Sequence, residues 1–315
     1  MHGMRTTIVA EIGTTWERDL DKAMALVDLC AAAGVDCVKS QWTSDPEALC
    51  VRRKAPEFLP AYRELKWPEA WHGTLAAYCQ AKGLGYSVTA YLPKDVPVVA
   101  QYTSFFKVSA FEATAADMFK AIRSCLVNMD QKKVVVSLGF GTTREAVIDA
   151  MFPKGRDETT TALPIVFLHC VSSYPAPIAE LNLGRIRADQ LDGFSDHTAA
   201  DDPVSLKVGA LAVAAGARWI ERHVKLDSCR PTHPDAVVSL GAHQLAEYVT
   251  AVREAEQAPT PTNRLKDVPV ESGPRPSEEA FLRYRVGSEA ETPAEARTGR
   301  KSAPSEPTGL PGGSE

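Results

Sequence analysis

The chain has 315 residues, 44% of them hydrophobic, and a formal net charge of -5. That is enough apolar sequence for one large domain or two modest ones, and the mildly acidic balance argues against a general nucleic-acid or membrane-surface binder. The seven cysteines are scattered and free of CxxC spacing, no apolar signal region opens the chain, and no run of about 18 apolar residues occurs, so a cytoplasmic protein with reduced thiols is expected.

Thr7 to Gly13 reads as a buried strand with a polar exit at Glu11. Leu20 to Ala33 carries apolar residues at helical spacing and is closed by Gly34. Val35 to Lys39 is the next strand, with Lys39 and Gln41 at its far end. Residues 43 to 67 read as an irregular, polar connection, long enough to suggest a functional flap. Pro68 to Lys82 predicts a helix, Gly85 to Thr89 a strand, Lys94 to Tyr102 a short helix, and Phe105 to Val108 a strand followed by Glu112. Ala115 to Leu126 is helical, Lys133 to Ser137 is a strand, and Thr142 is expected to cap a helix running through Met151. Pro164 to His169 is the sixth strand, Asn182 to Arg187 a short helix, and Leu191 to Ser195 a strand inferred from rhythm more than propensity. A helix from Asp202, a strand from Ala217 to Glu221 and a helix from Gly241 to Glu256 complete the pattern.

Eight strand-helix units in this order fit a (β/α)8 TIM barrel over residues 1 to 257. A doubly wound sheet is the alternative, but Gly13-Thr14-Thr15 is not a glycine-rich phosphate turn. Residues 258 to 288 read as a linker-like segment whose apolar anchors, Phe281, Leu282 and Tyr284, dock on the barrel or on a partner subunit. Residues 289 to 315 have almost nothing to bury and are expected to be a disordered tail.

In a barrel the C-terminal strand ends share one pocket. Those positions hold Glu11, Lys39, Gln41, Thr89, Lys107, Glu112, Ser137, His169, Ser172, Tyr174, Ser195, His197, Glu221 and His223. Two lysines with several hydroxyls suit a phosphate and a carboxylate, and an acid such as Glu112 could move a proton. Any one histidine reads most simply as a strand cap. The pair His197 and His223 at neighbouring strand ends points instead to an open site for a divalent ion such as Mn, Zn or Fe.

The segments EIG (11–13), AGVDCVKSQ (33–41), FKVSAFE (106–112), SLG (137–139), LHCVSSYPAP (168–177), NLGRI (182–186), GFSDHT (193–198), IERHVKLD (220–227) and PDAVVSL (234–240) resemble the sialic acid synthase family. The resemblance covers roughly residues 6 to 287 in the same order. It implies a (β/α)8 barrel that condenses phosphoenolpyruvate with the aldehyde of an open-chain sugar, giving a 2-keto-3-deoxy acid and phosphate. It implies a divalent metal, Mn first and Mg, Co or Zn otherwise, on His197 and His223. Lys39 and Lys107 fall on the phosphoenolpyruvate-binding lysines, with Thr89, Ser137 and Ser195 as the accompanying hydroxyls. Glu112 falls on the glutamate that handles the proton of the attacking water. Glu11, Gln41, Ser172, Tyr174 and Asp235 fall where substrate is contacted or the site supported, and a homodimer is implied.

The sequence departs from the family pattern on the acceptor side. Thr14-Thr15-Trp16 replace the usual Asn-His after EIG, and Ala110 stands where a serine is usual. After the linker the family's antifreeze-like domain gives way to low-complexity sequence. An acceptor other than N-acetylmannosamine is therefore expected. A standard sialic, legionaminic or pseudaminic acid synthase is the second reading, and a catalytically silent barrel acting as a partner protein the third.

Overall fold

A computed structural model describes residues 5–127, 132–153, 155, 163–258 and 270–287. The expected tail from 289 onward lies outside them. Eight parallel strands close into a barrel in chain order, β1 (Thr7–Gly13), β2 (Cys37–Trp42), β3 (Gly85–Ala90), β4 (Phe106–Val108), β5 (Val134–Leu138), β6 (Ile165–Cys170), β7 (Gly193–Asp196) and β8 (Trp219–His223), with β8 pairing back onto β1. The (β/α)8 reading holds. Among the described residues, no helix is long and apolar enough to cross a membrane.

Alternation along each strand explains the near-continuous apolar runs, because both faces are buried. Ile8, Ala10 and Ile12 point outward into a cluster with Ala23, Leu26, Val27 and Cys30 of the first helix, Leu20–Ala33. The inward residues Val9, Cys37, Phe105, Val135, Leu168 and Trp219 form a separate apolar floor inside the barrel. Two residues further along the same parity, the inward positions turn polar (Glu11, Lys39, Lys107, Ser137, Glu221), and that switch makes the mouth.

Local chemistry sets the element ends. The Asp19 carboxylate accepts the Asp21 and Lys22 N–H groups at the start of the first helix, and Gly34 ends it at φ 82°. The weak seventh strand forms because it begins with glycine. A Cβ on Gly193 would lie 2.0 Å from the Trp219 carbonyl oxygen, so only glycine lets β7 approach β8. Thr143, and not Thr142, caps the helix Arg144–Met151 by accepting the Ala146 N–H; the Thr142 hydroxyl instead accepts from Arg285. The predicted start of the second helix at Pro68 is a turn, and that helix runs Trp71–Ala81.

Residues 43 to 67 are not irregular, contrary to the reading above. They form helices Pro46–Arg53 and Leu59–Glu64 joined by a 3-10 turn, Pro56–Phe58. Leu49, Cys50, Tyr62 and Leu65 pack with Tyr91 and with Tyr284 of a 3-10 helix, Pro276–Tyr284, in an apolar cluster distinct from the barrel core. The linker-like segment thus docks on the barrel of its own chain.

Two histidines in the core carry an acid liability. His72 stacks among Trp67, Trp42 and Tyr102, and His169 meets the Leu181 carbonyl oxygen at 2.7 Å; burial pushes each imidazole down to about 4. With a folded pKa below the unfolded value near 6.5, their stabilising contribution is complete above that pH and lost as pH falls through 4. Each is worth on the order of 3 kcal/mol. Urea-unfolding free energies are expected to fall from pH 6.5 to 4, with a shallower fall in His72→Phe; identical slopes would remove the assignment.

Candidate active site

Eleven of the thirteen residues that the family resemblance assigns to the site line one small chamber at the mouth, of about 40 Å³: Glu11, Lys39, Gln41, Thr89, Lys107, Ser137, Ser172, Tyr174, Ser195, His197 and His223. Parity brings them there. Lys39 and Gln41 share the inward face of β2, and β8 runs through His223, two residues beyond its expected end, so Glu221 and His223 share one face.

The lysines are held by short-range partners. Lys39 Nζ contacts Glu11, lies 2.9 Å from the Thr89 hydroxyl and 3.5 Å from Glu221 Oε1. Lys107 Nζ donates to the Ser137 hydroxyl at 2.9 Å and lies 3.6 Å from the same Glu221 oxygen. Burial works against the Lys39 ammonium, but Glu11 and Glu221 overcome it and raise its pKa. Burial lowers Lys107, which has only Glu221 nearby as strong compensation. Burial raises Glu11 against the pull of Lys39, whereas Lys107 and Lys39 together hold Glu221 low despite burial. Glu221 is therefore the fixed anion between two cations. It stood in the sequence beside His223 without a role, and only the register between strands reveals one.

Across the chamber the His197 and His223 ring centroids are 5.4 Å apart. His197 Nδ1 donates to the Val171 carbonyl oxygen at 3.1 Å, which leaves Nε2 as the acceptor, 3.1 Å from the Tyr174 hydroxyl. Burial pushes His197 down to about 4, and burial with the neighbouring His197 takes His223 well below the usual range. Both rings are thus neutral at physiological pH, the form that binds metal. His223 Nδ1 and Glu221 Oε2 are buried polar atoms without a hydrogen-bond partner among the described residues. No group of three or more His, Cys, Asp or Glu side chains arranged for a metal is found among those residues. The donor set fits an open two-imidazole site, with the other positions left to water or substrate.

The residues next to each imidazole point the other way. Asp196 and Arg222, fully buried, pair at 2.8 Å outside the barrel wall, and Tyr248 donates to Asp196 at 3.0 Å. This pair ties the ends of β7 and β8 together and fixes the separation of the two histidines. His169, expected at the mouth, does not reach it. It follows Leu168 on β6 and so faces outward, packing against Phe194.

Two of those thirteen stand outside the small chamber. Asp235 lines a larger outer chamber of about 340 Å³, where Thr14 donates to it at 3.2 Å. Glu112 is behind the wall, 1% exposed. Its two oxygens accept Arg53 Nε and Nη2 at 2.7 and 2.8 Å, and Ser109 donates to the second oxygen. Arg53 lies 4.7 Å from the centroids of both Tyr91 and Phe111. Sequence reasoning missed Arg53, which sits in the stretch read as irregular and 59 residues from its partner. Gln41, Tyr91, Ser109, Phe111 and Tyr174 line both chambers, so the two are continuous. Of the unusual Thr14-Thr15-Trp16, only Thr14 lines the outer chamber. Thr15 donates to the Ile12 and Val224 carbonyl oxygens, and Trp16 is buried against Trp67 and Trp71.

Comparison with known proteins identifies relatives and a family. The chain is 27% identical over 270 residues to the pseudaminic acid synthase of Campylobacter jejuni, covering 80% of this chain and 74% of that one. It is 27% identical over 272 residues to the N,N'-diacetyllegionaminic acid synthase of Legionella pneumophila, covering 80% and 73%. The human N-acetylneuraminate-9-phosphate synthase is 26% identical over 280 residues, covering 82% and 72%. In fold, the chain is similar to the crystal structure of an N-acetylneuraminic acid synthetase from Leptospira borgpetersenii, with a TM-score of 0.67, 21% identity and coverage of 94% and 93%. The model of the NeuB family matches residues 26–263, from within the first helix to beyond the last of the barrel, and the chain belongs to that family.

Proposed function

We propose that this chain condenses phosphoenolpyruvate with an aldehyde, open-chain sugar or sugar-derived, to give a 2-keto-3-deoxy acid and phosphate, and that the acceptor is not N-acetylmannosamine. The observation that carries the reading is the convergence of two lysines, their hydroxyl partners and two neutral imidazoles in one small chamber. The names of the relatives supply the class: acid synthases of the NeuB family.

Lys39 with Thr89 and Lys107 with Ser137 hold the phosphate and carboxylate and fix the C3 carbon toward the outer chamber. His197 and His223 would hold a divalent ion, Mn by first expectation, which when bound supplies Lewis-acid polarisation of the aldehyde oxygen. C3 bonds to the aldehyde carbon as the enol double bond opens, and the carboxylate beside Lys107 and Lys39 tempers the positive character at C2. Water then adds to C2, and its proton passes through the Ser109 hydroxyl, which lines the chamber, to the Glu112 carboxylate that it hydrogen-bonds; protonation of the alkoxide on the former aldehyde carbon closes the proton count. The tetrahedral carbon expels phosphate by C–O cleavage. Aromatic walls and the acids Asp235 and Glu64 shape the acceptor side.

Phosphate release from phosphoenolpyruvate with Mn and a panel of aldehydes tests the proposal. Release with another aldehyde and not with N-acetylmannosamine is the expected result. Release with N-acetylmannosamine alone, or with the acylated amino sugars of legionaminic or pseudaminic acid synthesis, favours a standard synthase, the reading that the relatives' names support. No release with any acceptor overturns the enzymatic reading.

A further inference from the structure

We propose that Glu278, on the segment that follows the barrel, is a positioning residue of the inner chamber. Its side chain is 1% exposed, and its carboxylate binds three backbone N–H groups from three separate stretches. Oε1 accepts from Phe140 and from Ser172, each at 2.8 Å, and Oε2 accepts from Arg275 at 2.8 Å. Phe140 belongs to the turn after β5, and Ser172 to the loop after β6 that carries Tyr174. One carboxylate therefore ties two mouth loops to each other and to the segment lying over them.

The surroundings show what the clamp holds. Phe140 has φ 57°, a left-handed conformation uncommon for a side-chain-bearing residue, and its N–H is fixed in that turn by Glu278. Next to it, a Cβ on Gly139 would sit 2.1 Å from the Ser172 hydroxyl, so Ser172 is seated directly on that glycine. A Cβ on Gly141 would lie 2.6 Å from the Gly273 carbonyl carbon, so the turn and the overlying segment meet backbone to backbone. Ser172 lines the inner chamber and reaches Cys170 Sγ at 3.5 Å. Glu278 itself does not line it. Its effect on the chamber passes through the place it gives Ser172 and the rim beside it.

The same segment has anchors that bypass this rim. Ser277 donates through its N–H and hydroxyl to Glu180, at 3.1 and 2.7 Å. That makes Ser277→Ala a control that loosens the segment while sparing the clamp.

The inference rests on the proposed binding of phosphoenolpyruvate, so the test pairs ligand affinity with a readout that needs no ligand. In the full chain, Glu278→Met keeps the length and most of the volume of the side chain but removes Oε1, which accepts from both Phe140 and Ser172, along with Oε2. Amide hydrogen exchange in peptides covering 139–142 and 170–174 is expected to speed up by roughly tenfold, and the Kd for phosphoenolpyruvate, measured calorimetrically, to rise by about tenfold. Ser277→Ala should leave both loop exchange and phosphoenolpyruvate affinity unchanged. Unaltered exchange in Glu278→Met, unaltered affinity despite faster exchange, or an equal loss in Ser277→Ala overturns the proposal. If the wild type binds no phosphoenolpyruvate, the functional reading fails, and with it the role of Glu278 in ligand binding, while the exchange arm still decides whether the clamp holds the loops.

Discussion

Replacing His197 with alanine is expected to remove Mn from the protein and to cut phosphate release by on the order of 10³ or more, with the fold intact. The ring makes hydrogen-bonding contacts to the Val171 carbonyl oxygen, the Tyr174 hydroxyl and the Cys170 thiol, and none of these is part of the strand ladder. Its structural share is therefore small, while the pair of imidazoles is the whole protein-derived donor set proposed for the ion. Lewis-acid polarisation is worth several kcal/mol of barrier, which sets the size of the loss. Metal analysis after Mn loading and desalting gives the decisive readout, with circular dichroism as the check on folding. A variant that keeps the metal content of the wild type would remove the assignment of His197, whatever happens to the rate.

The second large effect is at Lys39. Lys39→Met leaves Glu11 and Glu221, both buried, without the ammonium that contacts the first and lies 3.5 Å from the second. Removing one partner of a buried ion pair costs about 3–5 kcal/mol, since the orphaned carboxylate must be protonated or endure burial. Phosphoenolpyruvate binding should vanish in the same variant, because one of two cations for a highly charged anion is gone. These losses are separable. Lys39→Met with Glu11→Gln removes the orphaned charge and is expected to regain most of the stability, by urea unfolding, without regaining affinity. Recovery of affinity in the double variant would show that Lys39 serves the fold and not the ligand.

The barrel was legible because a parallel strand buried on both faces writes an apolar run, and these runs alternate with helical stretches, two of which close on Gly34 and Gly216. The chamber was legible for the same reason, since polar residues ending such runs on the inward parity converge whatever the detailed geometry. His169 shows the limit of that rule: one position out of phase on β6 sends it outside. Residues 43 to 67 hid two short helices because Pro46, Pro56 and Pro60 break the helical period into pieces too short to count. Glu112 was placed correctly in the chain but not in its surroundings. Its partner Arg53 comes from those hidden helices, and nothing local to either residue announces the pair. The role of Glu278 was equally silent, because a carboxylate that binds backbone N–H groups leaves no mark on the sequence of the loops it holds.

The apolar cluster formed by helices 46–64 and the segment 276–284 does not merge with the packing beneath the barrel strands. The groups proposed to grip the enolpyruvyl phosphate hang from the strands, whereas Phe58, Tyr62, Phe281 and Tyr284 of the acceptor wall hang from that cluster. Substitutions that reshape the wall are thus paid for locally, and the folding energy of the frame is spared. A lineage could retune which aldehyde it accepts by small steps in these two stretches while inheriting its chemistry unchanged.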